Sequence, residues 1–249
     1  MAHVKRNITW SAPLILAIDN STLYGNVALT SPEGVLAERS LLSRLTHSKR
    51  LLTALDDILT ESDLAWTDLA AVAVCLGPGS FTGLRISLAT VKGIAMATNL
   101  PLIGVSSLDA LAAQLPFAQH QICAMVDARK QEVYTAFYKS NNRGGVQRRS
   151  DHLVMGPEAL AARISEPTIF VGDGVAVYGD ELAKVLGDMA LFAPKEIIFP
   201  RAATIGSLAL SLYEQKNFLD PASAIPLYVR ASDAEIQRRK KSQQPGTRS

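Results

Sequence analysis

The residues best placed by type and spacing to do chemistry are Gly77, Pro78, Gly79, Ser80, Phe81, Thr82 and Gly83, three glycines and two hydroxyls between an apolar run and a helix-like stretch. Backbone N–H groups in such a loop can cradle a phosphate. A P-loop, however, needs Lys followed by Ser or Thr after its last glycine, and Gly83 is followed by Leu84 and Arg85. A dinucleotide fingerprint spaces its glycines differently and wants an acidic residue at the end of the next strand, where Ser106 stands. The favoured reading is a tight strand-to-helix turn, with Ser80 as a helix cap. Other reactive types offer less. His3, His47, His120 and His152 are scattered, with no i, i+4 partner of the kind a zinc helix requires. No Ser-His-Asp order is evident, and Cys75 lies among aliphatic residues that would raise its pKa and quench it as a nucleophile.

The elements that hold this turn are legible on either side. Residues 70–76 carry no polar side chain, which suits a central strand covered on both faces. Residues 80–98 read as a helix whose only charges are Arg85 and Lys92. Leu84, Leu88, Val91 and Ala95 form its apolar stripe, while Gly83, Ser87, Thr90, Gly93 and Ala97 form a face of small residues. A helix so poor in charge must be covered, either by its own domain or by a partner.

Before the turn, residues 14–18, 26–30 and 35–42 read as strands, and 46–62 as an amphipathic helix capped by Thr46, with Leu51, Leu55 and Ile58 on its apolar face. After it come a strand at 102–105 and a helix from Ser107, with Ser106 and Asp109 at capping-box spacing. The pattern then restarts. Strands at 122–126 and 133–138, a polar connector at 141–149, a helix at 157–164, a strand at 168–171 ending in Gly172-Asp173-Gly174, and helices at 178–186 and 203–216 repeat the alternation. Ala17-Ile18-Asp19 and Met125-Val126-Asp127 occupy matching places, so the chain reads as an internal duplication of two α/β halves, each βββαβαβα, with a boundary near 116–121. The expected divisions are a loose leader at 1–13, an N-terminal lobe at 14–116, a smaller C-terminal lobe at 117–232 and a basic tail at 233–249.

Composition bounds the partners. A net charge of +2 over 249 residues gives no reason to expect a nucleic-acid coat or a membrane-binding surface. Two cysteines in apolar runs read as buried thiols of a reducing compartment, and the cytoplasm is the expected location. Arg238-Arg239-Lys240-Lys241 could touch a nucleic-acid phosphate, although a solvated tail is the commoner fate of such a run.

Two strand-turn-strand units with strand-end aspartates resemble the actin-like ATPase (ASKHA) superfamily. With Leu76-GPGSFTG-Leu84-Arg85, Ala17-Ile18-Asp19-Asn20-Ser21-Thr22, Asp127-Ala128-Arg129 and Pro226-Leu227-Tyr228-Val229-Arg230 added, residues 14–236 resemble the bacterial TsaB (YeaZ) family. That resemblance implies a non-catalytic subunit in the synthesis of tRNA N6-threonylcarbamoyladenosine (t6A). It would dock the catalytic paralogue TsaD, with TsaE joining, form a homodimer when alone, and meet tRNA only through the assembled complex. No cofactor would be required by this chain, ATP or ADP being held by TsaD and TsaE. TsaD holds its metal through a His-x-x-x-His helix, and the matching positions here are Ser107 and Leu111, neither able to serve as an imidazole does. Relatives have been labelled glycoprotease-like, a label that no motif here supports. The expected partner interface comprises Leu51, Leu55, Ile58, Phe81, Leu84, Arg85, Leu88, Val91 and Lys92. Asp19, Ser21, Thr22, Asp127, Gly172 and Gly174 sit where actin-like proteins contact nucleotide and are expected to form a vestigial site. The alternative is a self-sufficient actin-like ATPase or sugar kinase working in the cleft between the halves.

Overall fold

The computed structural model describes residues 12–42, 47–141 and 143–229. Most of the leader, the cap at Thr46 and the basic tail lie outside the described residues.

The first half builds a five-stranded sheet. Strands β1 (Ile15–Asp19), β2 (Tyr24–Ser31) and β3 (Gly34–Leu42) form an antiparallel meander, and helix α1 (His47–Glu61) leads to β4 (Ala71–Gly77). Helix α2 (Phe81–Thr98), β5 (Leu102–Ser106) and the short α3 (Ser107–Ala113) follow. The strand order is β3-β2-β1-β4-β5, with β1, β4 and β5 parallel. Burial of both faces explains why residues 15–18 of β1 and 71–76 of β4 carry aliphatic or thiol side chains only. Leu16, Ile18, Val72 and Val74 point into a core with Leu51, Leu55, Ile58, Leu88 and Val91 of α1 and α2, while Ile15, Ala17, Ala71, Ala73 and Cys75 point to the opposite face.

The second half forms a sheet ordered β11-β10-β6-β7-β8. It comprises β6 (Gln121–Asp127), β7 (Val133–Ser140), β8 (Val146–Arg148), β9 (Leu153–Met155), α4 (Pro157–Ala161), β10 (Thr168–Val171), α5 (Gly174–Leu186) and β11 (Ala190–Phe192). Strands β6, β10 and β11 are parallel, and β7 pairs antiparallel with β6, β8 and β9. The polar connector expected at 141–149 thus contains a three-residue edge strand, and β8 and β9 together stand in for the third strand of the first half. The architecture is α/β, two mixed sheets of similar strand order with helices packed on them.

Helix α6 (Ala202–Glu214) corrects the expected boundary. A second lobe spanning 117–232 would include it, yet Ile205 and Ala209 pack with Ile15, Ala17, Ala71 and Ala73 on the first sheet. The small residues on that face of β1 and β4 allow the approach, and Gly206 lies where a Cβ would strike the Thr30 side chain. The following segment also belongs to the first lobe. Leu219 bridges Leu102, Lys92 Nζ donates to the carbonyls of Ala222 (3.3 Å) and Ala224 (2.9 Å), and the Leu227 N–H donates to Leu76 O at 2.8 Å.

Candidate functional site

The glycine turn is built against the β1–β2 turn. The Ser80 N–H donates to Ser21 O at 2.7 Å, and Ser80 Oγ accepts from the Gly83 N–H at 3.3 Å, capping α2. A Cβ on Gly79 would strike the Ser21 carbonyl, and one on Gly83 the Asn20 carbonyl. Two backbones therefore touch here, and the glycines serve contact within the chain. Gly77, Pro78 and Thr82 complete the turn, and the Pro78 carbonyl accepts from Ser107 Oγ at 2.5 Å.

This contact seals the first of the expected nucleotide groups. Asp19, Asn20, Ser21 and Thr22 are all buried. Asp19 accepts from the Ser21 N–H (2.8 Å) and Asn26 Nδ2 (3.2 Å), while burial pushes its carboxyl above the usual carboxylate range. The second group gathers at the ends of β6 and β10. The Asp127 N–H donates to Asp173 Oδ1 at 3.0 Å, its Oδ1 accepts from the Arg129 N–H at 2.9 Å, and its Oδ2 lies 3.0 Å from the Arg129 guanidinium. Gly172 and Gly174 pack on the Met125 carbonyl. Both strand-end aspartates are thus engaged by donors of their own chain. Asp173 is also raised, chiefly by burial. The positions matching a metal helix are equally committed, Ser107 to Pro78 and Leu111 to the core. Among the described residues, no three His, Cys, Asp or Glu side chains are arranged to hold a metal ion.

The paired helices α1 and α2 present a different kind of site. Leu51, Leu55, Ile58, Leu84, Leu88 and Val91, expected to meet a partner, are all covered by the chain's own sheet. Their helical stripe marks the inner face, so as partner contacts they are corrected. The outer face carries Leu52, Phe81 and Met96, which are 57%, 50% and 69% exposed. Along α2 it continues through Thr82, Ala89, Gly93 and Ala97, all exposed. A Cβ at Gly93 would meet nothing within 4 Å. Of the two cations of the helix, Arg85 stays exposed on this face beside Phe81 and only Lys92 is drawn off it. Arg85 lies 3.8 Å over the Phe81 ring, and Lys92 is turned onto the 222–224 carbonyls.

The structure also assembles a cluster that no spacing in the sequence announces. Asp109 Oδ1 accepts from Tyr138 OH at 2.8 Å and lies 3.5 Å from Arg148 NH1, which is 2.7 Å from His152 Nε2. Ser106 Oγ approaches the same Nε2 at 3.3 Å, and Asp109 stands 3.8 Å from it. These groups hold the Asp109 carboxyl below its ordinary value against the opposing effect of burial. Ser, His and Asp do meet, but serine and aspartate address one ring nitrogen, whereas a hydrolytic relay needs one on each. The capping-box spacing of Ser106 and Asp109 was the only trace in the sequence. Ser106 does cap α3, accepting from the Leu108 N–H at 3.2 Å, while Asp109 turns to Tyr138 instead.

Comparison with known proteins places this geometry. The family model of TsaD, tRNA N6-adenosine threonylcarbamoyltransferase, matches residues 34–238. The tRNA threonylcarbamoyladenosine biosynthesis protein TsaB of Escherichia coli is 34% identical over 221 residues, covering 87% of this chain and 94% of that protein. The chain belongs to the TsaB family. TsaB of Bacillus subtilis is 31% identical over 225 residues, covering 90% and 96% of the two chains. A solved structure described as similar to the peptidase YEAZ from Pseudomonas aeruginosa superposes with a TM-score of 0.75 at 30% identity, covering 88% of this chain and all of that one. The peptidase in that description finds no counterpart in the Ser106, His152 and Asp109 geometry of this TsaB-family chain.

Proposed function

We propose that this chain is a non-catalytic subunit of the t6A synthesis complex, docking and activating TsaD through the outer face of α1 and α2 and recruiting TsaE to the pair. The observation that carries the reading is Gly93. A mid-helix glycine costs about 1 kcal/mol relative to alanine, and among the described residues nothing occupies the space beside it. Together with Ala89 and Ala97 it leaves a shallow strip without charged side chains, on which another helix backbone can lie close. A chain purified alone would pair with a second copy through the same strip. The sealed Asp19 turn supports the vestigial reading of the nucleotide site, with ATP or ADP held by TsaD and TsaE and tRNA met by the assembled complex. No described helix is long and apolar enough to cross a membrane, and we place the work in the cytoplasm.

Size-exclusion chromatography of the chain with and without TsaD, followed by a threonylcarbamoyl transfer assay, tests this directly. Co-elution, with transfer only when both are present, is the expected result. Transfer by this chain alone, or monomers that ignore TsaD, would end the proposal. Calorimetry with ATP and magnesium addresses the ATPase alternative, for which heat of binding by the isolated chain is required.

A further inference from the structure

A cavity of about 600 Å³ opens beside the Asp109 cluster, between α6 and the β7–β8 hairpin. Its size is that of a small-molecule site. Asp109 and Arg148 both line it, with side chains 35% and 42% exposed, so this ion pair faces the cavity without being buried from it. The contacts of Asp109 with Tyr138, Arg148 and His152 all fall on Oδ1, leaving Oδ2 as an acceptor outside that set. Arg148 meets Asp109 and His152 through NH1, leaving NH2 and Nε as donors outside it. A carboxylate and a guanidinium are thereby held side by side, 3.5 Å apart, on a frame of Tyr138, His152 and the α3 cap.

The facing wall has its own chemistry. Thr204, Ser207 and Ser211 of α6 line the cavity at helical spacing, interleaved with Leu208 and Leu212. That stripe carries hydroxyls and aliphatic groups and no charge. The cavity therefore offers one negative and one positive group next to each other, with a neutral, hydrogen-bonding wall beyond. An α-amino acid is complementary to this arrangement, because its ammonium and carboxylate sit on one carbon and its side chain extends away from both. We propose that the cleft binds a free α-amino acid, its ammonium on Asp109 Oδ2, its carboxylate on Arg148 and its side chain along the α6 hydroxyls. The site involves neither the outer face of α1 and α2 nor the Asp19 turn, so it stands independently of TsaD docking.

Isothermal titration of the intact chain with each common L-amino acid, up to about 10 mM, tests it. At least one should bind with Kd below about 1 mM, and its N-acetyl and carboxamide derivatives, each lacking one charge, should bind about tenfold or more weakly. Asp109→Asn and Arg148→Met should each produce the same loss. Asp109 also accepts from the buried Tyr138, so the exposed Arg148→Met and the wall variant Ser211→Ala, checked by circular dichroism, keep the test decisive if Asp109→Asn does not fold. Absence of binding by every amino acid overturns the proposal. So does binding that survives Arg148→Met, or survives removal of both ligand charges.

Discussion

Under the proposed docking, Gly93 separates what the chain needs for itself from what it would offer a partner. Among the described residues nothing lies within 4 Å of a methyl group placed there, so Gly93→Ala removes only the backbone penalty of glycine. The gain is about 0.8–1.0 kcal/mol, which for a chain of this size raises Tm by about 2–4 °C. Gly93→Leu keeps much of that gain but places a side chain where a partner helix would lie. Overpacking of a close contact costs about 1–3 kcal/mol, or roughly fivefold to 150-fold in Kd. Differential scanning fluorimetry of dilute protein and surface plasmon resonance against immobilised TsaD measure the two effects. A Tm that rises while affinity falls is the expected signature. Two results refute the reasoning: a Gly93→Ala variant less stable than the parent, which would place the glycine in an internal contact, or a Gly93→Leu variant binding TsaD as tightly as the parent.

Gly83→Ala should prevent accumulation of folded protein, since its Cβ would collide with the Asn20 carbonyl, whereas Ser80→Ala should lose only a cap, about 1 kcal/mol, and lower Tm by about 2–4 °C; soluble yield and thermal melts distinguish them. The lowered Asp109 carboxyl contributes stability that is complete above its ordinary value of 3.8 and is lost as pH falls through the lower folded value. Asp19, raised by burial, works in the opposite sense, contributing below its unfolded value and losing that contribution as pH rises through the folded one. The change in urea midpoint from acid to neutral pH should therefore be less positive in Asp109→Asn than in the parent. Burial pushes the Cys123 thiol up to about 12 and Cys75 well above its usual value, so a chromogenic disulfide reagent should label neither in the native chain and both in urea.

Much of the frame was legible in the sequence because the pattern of burial is local. The polar-free run before the glycine turn became β4, covered on both faces, and the stripe of Leu84, Leu88, Val91 and Ala95 was buried as its spacing predicts. That stripe could not say what buries it, and its cover is the chain's own sheet. The short strands β8, β9 and β11 left no trace, since three residues are too few for alternation to register. The Asp109 cluster was equally silent. Ser106, Tyr138, Arg148 and His152 span two lobes and are joined only by folding, so no window of sequence contains them.

The return of α6 to the first sheet sets an order of events during synthesis. Ile15, Ala17, Ala71 and Ala73 leave the ribosome early, but the helix that shields them is made only after the entire second half. Until then one side of a nearly finished layer stays greasy and open, a hazard for any nascent chain. Topologically the second lobe is an insert, and neither lobe can be cut out by dividing the gene at its midpoint.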